Sequence, residues 1–170
     1  VLEYAPAPGV PDFLTATQKY YESLGFPISR DDILATYGGS EALQIVMSCI
    51  LEEGDEVLVP EPFYPNYTTF VHAAGGVIRA LPTNPWEGYR YADRERIESL
   101  ITPNTRAILI TNPGNPTGVV LDESEMRMIA DIAKKHNLFL ICDEVYREFC
   151  YDDKFGVPTM ARFRDIDENL

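Results

Sequence analysis

Three short polar stretches hold the side chains with chemical potential. Residues 110–118 read ITNPGNPTG, an apolar run that stops at two Asn-Pro steps. A residue before proline is pushed towards extended backbone. The amides of Asn112 and Asn115 can then face outward from a strand end as hydrogen-bond donors. A rigid turn whose asparagines bond the local backbone is the alternative. Residues 142–149 read CDEVYREF. Asp143 and Glu144 close an apolar run there, and a carboxylate buried at such an end must be paired or hydrogen-bonded. Tyr146, three residues on, can reach the same place, and an ordinary strand end terminating in acids is the competing reading. Residues 38–43 read GGSEAL. Glycines before Ser40 at a helix start leave backbone N–H groups free for an anion such as phosphate, although serine at a helix start is commonplace. A phosphate cradle, an amide donor, a carboxylate and a phenol along one sheet edge would suit a compact cofactor with a phosphate and a ring that gains charge.

Elements of two kinds must present these groups. Hydrophobic patterning predicts helices over 12–24, 40–51, 65–74, near 93–101 and over 122–137. It predicts strands over 56–60, 77–81, 106–111 and 138–142. The helix at 122–137 has the clearest signature. Asp122 caps it, Glu125 completes a capping-box pair, and Met126, Ile129, Ile132 and Ala133 form one apolar stripe. Lys134, Lys135 and His136 suit the negative end of its dipole. Strands that are apolar throughout and alternate with helices imply an α/β fold, three-layered α/β/α around a mostly parallel sheet. Ligands in such folds bind beyond the carboxyl ends of the strands, which is where the three polar stretches fall.

Bulk properties narrow the partners. The chain has 170 residues, enough for one domain with a sizeable core, at 45% hydrophobic and 24% charged. Lys and Arg number 14 against 27 Asp and Glu, a net charge of −13 that argues against nucleic acid or an anionic membrane as partner. No run approaches the roughly 20 apolar residues that span a bilayer, and no signal-peptide pattern is read, so a cytoplasmic location is expected. Cys49, Cys142 and Cys150 form neither a disulfide framework nor a zinc motif. Cys142 reads as a small buried hydrophobe. With only His72 and His136 available, no metal centre is expected. The chain opens at Val1 in a loop and closes on FRDIDENL, which suggests a fragment of a larger protein.

NPGNPTG at 112–118 followed by DEVY at 143–146, one helix and one strand apart, resembles the fold type I pyridoxal-phosphate-dependent aminotransferases, the aspartate aminotransferase-like group. GGSEAL, EPFYPNY at 61–67 and YAPAPG at 4–9 fall in that family's order, so the resemblance spans essentially all of 1–170. It implies roles for matching residues. Asp143 would face the pyridine nitrogen of pyridoxal 5'-phosphate and stabilise the protonated ring as an electron sink. Asn115 and Tyr146 would donate to the ring's phenolic oxygen. Gly39, Ser40 and Glu41 would offer backbone N–H groups to the phosphate, and Tyr64 would stack on the ring where many relatives have tryptophan. Tyr4 matches a tyrosine that reaches the phosphate of the neighbouring subunit, which implies a homodimer. Arg147 is expected to be structural.

One departure from the family pattern matters more than any match. The family's Schiff-base lysine follows a serine motif, and none of Lys19, Lys134, Lys135 or Lys154 does so. The family places that lysine, and the arginine for the substrate carboxylate, after the last strand found here. Residues 1–170 therefore read as a partial cofactor-binding large domain, without the lysine segment and small domain, and inactive alone. The whole protein would transaminate an amino acid with a 2-oxo acid, with aspartate-like or broad specificity. A pyridoxal-phosphate C–S β-lyase, or the aminotransferase-like effector domain of a transcription regulator, is the alternative.

Overall fold

Alternating side chains decide the two faces of the sheet. The computed structural model describes residues 4–149, 151 and 157–163; Cys150 and Lys154 lie outside the described residues. The chain forms two compact units, residues 1–42 and 43–170. In the second, strand β1 (Glu56–Glu61) turns Val57 and Val59 to one face and Leu58 to the other. Strand β3 (Thr105–Thr111) sends Ala107 and Leu109 to the first face, and Ile108 and Ile110 to the second. Helix α3 (Asn66–Ala73) and the part of helix α2 (Gly39–Ile50) from Leu43 onward cover the first face with Leu43, Met47, Tyr67 and Val71. Helices α4 (Arg94–Leu100) and α5 (Glu123–His136) cover the second with Ile97, Met126, Ile129 and Ala133. The result is an α/β/α sandwich. Burial on both sides is why the strands read as unbroken apolar runs.

With β2 (Val77–Pro82) and β4 (Phe139–Asp143) the sheet has the order β2-β1-β3-β4, and all three pairings are parallel. The chain runs from β1 outward to β2 through α3. It then returns past β1 to β3 and continues outward to β4. Its direction of travel thus reverses between β1 and β3, with α3 on one face and α4 and α5 on the other, as right-handed crossovers require. Such a reversal opens a crevice at the carboxyl ends of the two strands.

The helix boundaries follow local chemistry. Asp122 accepts from Glu125 N–H at 2.9 Å, and Glu125 accepts from Asp122 N–H at 2.9 Å, closing the expected capping box. Asn137 ends α5 in the left-handed conformation, φ 53°. Asp93 caps α4 through Arg96 N–H. Expected and observed ends differ by no more than one residue. Cys142 packs against the second core, as a small apolar residue does.

In the first unit, helix α1 (Pro11–Ser23) starts on a proline and is followed by Gly25 at φ 77°. Gln18 donates to Ile28 O at 2.9 Å, and Gly9 lies so close to Ala35 that a Cβ there would meet Ala35 Cβ at 2.6 Å. Among the described residues no helix is long and apolar enough to cross a membrane.

Candidate functional site

The crevice between β1 and β3 is lined by the groups that leave the two strand ends. Glu61 and Phe63 come from the β1 side, Thr111 and Asn115 from β3 and its loop, and Tyr91 from the segment before α4. Strand β4 adds the carboxylate next door. Its Cα register pairs Asp143 with Thr111, so both residues stand at the same level of the sheet.

Asp143 is not isolated. The phenol of Tyr67, in the first turn of α3, donates to Asp143 Oδ2 at 2.7 Å, and Thr111 Oγ1 lies 2.7 Å from the same phenol oxygen. A phenol has one proton, and it is given to the carboxylate, so Thr111 must donate to Tyr67. The chain of donation therefore runs Thr111 to Tyr67 to Asp143. Burial first, and then the neighbouring carboxylate, push the Tyr67 phenol well above its ordinary range, which keeps its proton in place. Asp143 Oδ1 accepts only the backbone N–H of Val145, at 3.1 Å, among the described residues. Each carboxylate oxygen can accept about two hydrogen bonds. Asp143 is thus held by one firm donor and keeps acceptor capacity on its other oxygen.

The two asparagines of the loop have separate fates. Asn112 is fully buried, at 0% exposure. Its Oδ1 accepts from Leu121 N–H at 2.9 Å, and its Nδ2 points at Met126 Sδ, 3.4 Å away. The expectation that its amide faces outward is overturned: the side chain turns inward to satisfy backbone where the loop rejoins the core. Asn115 is half-buried at the crevice, and among the described residues its amide has no hydrogen-bond partner. The loop around it is tight. Gly114 N–H donates to Val119 O and Gly118 N–H to Gly114 O, each at 2.8 Å, and a Cβ on Gly114 would sit 2.6 Å from Thr117 Oγ1.

The remaining expected residues are placed unevenly. Tyr64 is half-buried and packs edge-on to Tyr67, with ring centroids 5.5 Å apart, so it joins the Asp143 cluster through that ring. Tyr146 does not. Its ring is exposed and stands against Phe149, 6.0 Å away, and it makes no hydrogen bond to Asp143 or Asn115 among the described residues. Gly39, Ser40 and Glu41 form the first turn of α2 and belong to the first unit. Their backbone N–H groups have no partners within the helix, as at any helix start. The Glu41 carboxylate folds back to accept from Tyr37 N–H, so that side chain is occupied. Tyr4, in the same unit, is fully exposed.

Glu144, beside Asp143, goes the other way. It accepts the single proton of the Thr159 hydroxyl, whose Oγ1 lies 2.9 and 3.0 Å from its two oxygens, and a bond from Met160 N–H. Burial raises its carboxyl above the ordinary range against those bonds. Arg147 is buried, with its Nε 3.5 Å from Glu144, which bears out its structural reading. Burial also raises the Cys142 thiol well above its usual value. Lys134 and Lys135 end α5, which leads into the amino end of β4, so they lie at the opposite end of the sheet from Asp143. Among the described residues no cluster of His, Cys, Asp and Glu is arranged for a metal ion.

The functional residue that sequence reasoning missed is Tyr67. Within NYTTF it reads as one apolar position of a helix, and its partner lies 76 residues away. The available signal was its place in the first turn after β1, where a long polar-tipped side chain can reach the neighbouring strand ends.

A sequence model of the aminotransferase class I and II family matches residues 1–168. A probable aspartate/prephenate aminotransferase of Thermus aquaticus is 38% identical over 98% of this chain and 44% of its own length. The solved aspartate aminotransferase from Thermus thermophilus with maleate superposes with a TM-score of 0.85 at 33% identity, over 94% of this chain and 42% of that one. An aromatic aminotransferase from Pyrococcus horikoshii OT3 gives a TM-score of 0.87 at 32% identity, over 94% and 42%. The chain thus spans a little over two-fifths of the length of these relatives.

Proposed function

Since the chain belongs to the class I and II aminotransferase family, we propose that the whole protein moves an amino group from an amino acid to a 2-oxo acid with pyridoxal 5'-phosphate. The observation that carries this reading is the Asp143 carboxylate, fixed through Tyr67 at 2.7 Å and still able to accept on its other oxygen. The donor set suits the cofactor. A carboxylate of this kind would accept from a protonated ring nitrogen, and an unpaired amide such as that of Asn115 would donate to the ring's oxygen. The free N–H groups of Gly39, Ser40 and Glu41 would suit its phosphate.

Bound at these residues, pyridoxal phosphate supplies an electron-accepting ring. Asp143 would hold the proton at the ring nitrogen, and the Thr111–Tyr67 chain would hold Asp143. Tyr64 would cover one ring face, and Tyr146 would reach the ring oxygen only with its side chain turned from Phe149. Tyr4 would serve the phosphate of a neighbouring subunit in a homodimer. The Schiff-base lysine is assigned outside these 170 residues, because none of the four lysines follows the family's serine motif, and this segment alone is expected to be inactive. The names of the relatives favour aspartate or a related amino acid as donor, and the proposed setting is the cytoplasm.

Assay of the full-length protein with aspartate and 2-oxoglutarate tests this. Oxaloacetate formation that follows a visible absorption band, both lost in Asp143→Ala, is the expected result. A parent protein without such a band, or one that eliminates rather than transaminates, would overturn it.

A further inference from the structure

Asn112 does more than end a strand. Its backbone N–H donates to Asp143 O at 3.0 Å, joining β3 to β4 at the residue that carries the carboxylate. Its side chain, fully buried, accepts from Leu121 N–H at 2.9 Å. One residue therefore grips the loop at both ends: residue 113 leaves from it, and residue 121 returns to it. Asn115 sits in the stretch between, which is closed internally by the Gly114–Val119 and Gly118–Gly114 backbone bonds and by Val119 N–H to Thr117 Oγ1 at 3.3 Å. Nothing in that stretch bonds to Asp143 directly among the described residues, so the spacing of Asn115 and Asp143 passes through Asn112.

We propose that Asn112 is a positioning residue, which fixes the loop bearing Asn115 to the end of β4 bearing Asp143 so that the two act on the cofactor as one rigid pair. The inference rests on the reading of Asn115 as donor to the ring oxygen. A buried amide is suited to the task. It satisfies a backbone N–H that would otherwise be stranded, and its planar geometry sets the direction as well as the distance of the closing bond.

The test uses full-length protein loaded with pyridoxal phosphate, in four forms: parent, Asn112→Ala, Asn115→Ala and the double variant. Two quantities are read: the pH midpoint at which the bound cofactor's visible band changes, and the hydrogen exchange of the Leu121 amide. A donor on the ring oxygen favours its anionic form, so losing the donor moves the midpoint upward. Asn115→Ala is expected to raise it by about one pH unit, a tenfold change. Asn112→Ala raises it in the same direction and speeds exchange at Leu121, while Ile108 and Leu140 keep their protection. The double variant goes no further than Asn115→Ala. A shift in Asn115→Ala with none in Asn112→Ala would overturn the positioning role alone, as would additive shifts. No shift in Asn115→Ala would overturn the ring-donor reading and this inference with it. Should Asn112→Ala not fold, Asn112→Asp keeps an acceptor for Leu121 N–H: retained protection there supports the inference, and its loss refutes it.

Discussion

The two ends of the same parallel sheet treat a carboxylate in opposite ways. At the amino end, Glu56 on β1 is bound by three side-chain donors. Its Oε1 takes Arg79 Nη1 at 3.2 Å from β2, and its Oε2 takes the hydroxyls of Thr102 at 2.6 Å and Thr105 at 3.3 Å. At the carboxyl end, Asp143 has one side-chain donor, Tyr67, and one backbone N–H. No cation stands within ion-pair distance of it among the described residues. A carboxylate tied to a cation and two hydroxyls is a fastener, whereas one held by a single side-chain donor is equipped to receive another. The sheet's polarity accounts for the split, because crossover loops pack tightly at one end and leave a crevice at the other.

Mutation can break this contrast. The largest effect is expected from Asp143→Ala in the full-length protein: a fall in turnover of more than about 100-fold, the scale for losing a group that stabilises developing charge, with little change in the melting temperature. Glu56→Ala should do the reverse, leaving kcat within a factor of a few. Tyr67→Phe is next. Losing a hydrogen bond to a charged group costs about 1.5–3 kcal/mol, so cofactor affinity measured by absorption titration should weaken by roughly tenfold or more. Thr111→Val should act in the same direction and more weakly, since it acts on the carboxylate only through the phenol.

Smaller effects sharpen the amino-end side. Glu56→Gln strips the charge from the Arg79 pair but keeps acceptors for the threonines, for a loss of about 1 kcal/mol and a fall of a few degrees in thermal unfolding. Asp122→Ala removes the α5 cap and should cost about 1 kcal/mol near neutral pH. The bonds from Ser124 and Glu125 N–H hold the Asp122 carboxyl below its usual value. Its contribution is therefore complete above the ordinary carboxylate pKa and fades as the pH falls through the lowered one. Denaturation of parent and variant should converge in acid, and a gap that widened instead would show that the cap has been misassigned.

Much of this was legible in the sequence, for reasons that differ by residue. The α5 cap and stripe were readable because every participant lies within 16 residues and the 3.6-residue period repeats. Asp143 was readable because an apolar run of strand length ends on it. Asn112 and Asn115 were not separable, since both are Asn-Pro and only the return of Leu121 to the core decides which amide is consumed. Asp143 and Glu144 were not separable either: the burial of Glu144 depends on Thr159 and Met160, 15 and 16 residues on, in a segment with no periodic signal. Tyr67 was invisible because a phenol that closes a polar chain and one that fills a core are spelled alike.

The bond between Tyr67 and Asp143 also has a meaning in time. Its partners are 76 residues apart, and a ribosome adds about 5–20 residues per second. For roughly 4–15 seconds of synthesis the phenol has emerged without the carboxylate that will take its proton. The first α/β layers can collapse in that interval, but the polar centre of the site cannot. The polar centre of the site is therefore completed late in synthesis, after β1, β2 and β3 have been made, and Met160 and Phe163, which finish the core on the second face, follow it later still.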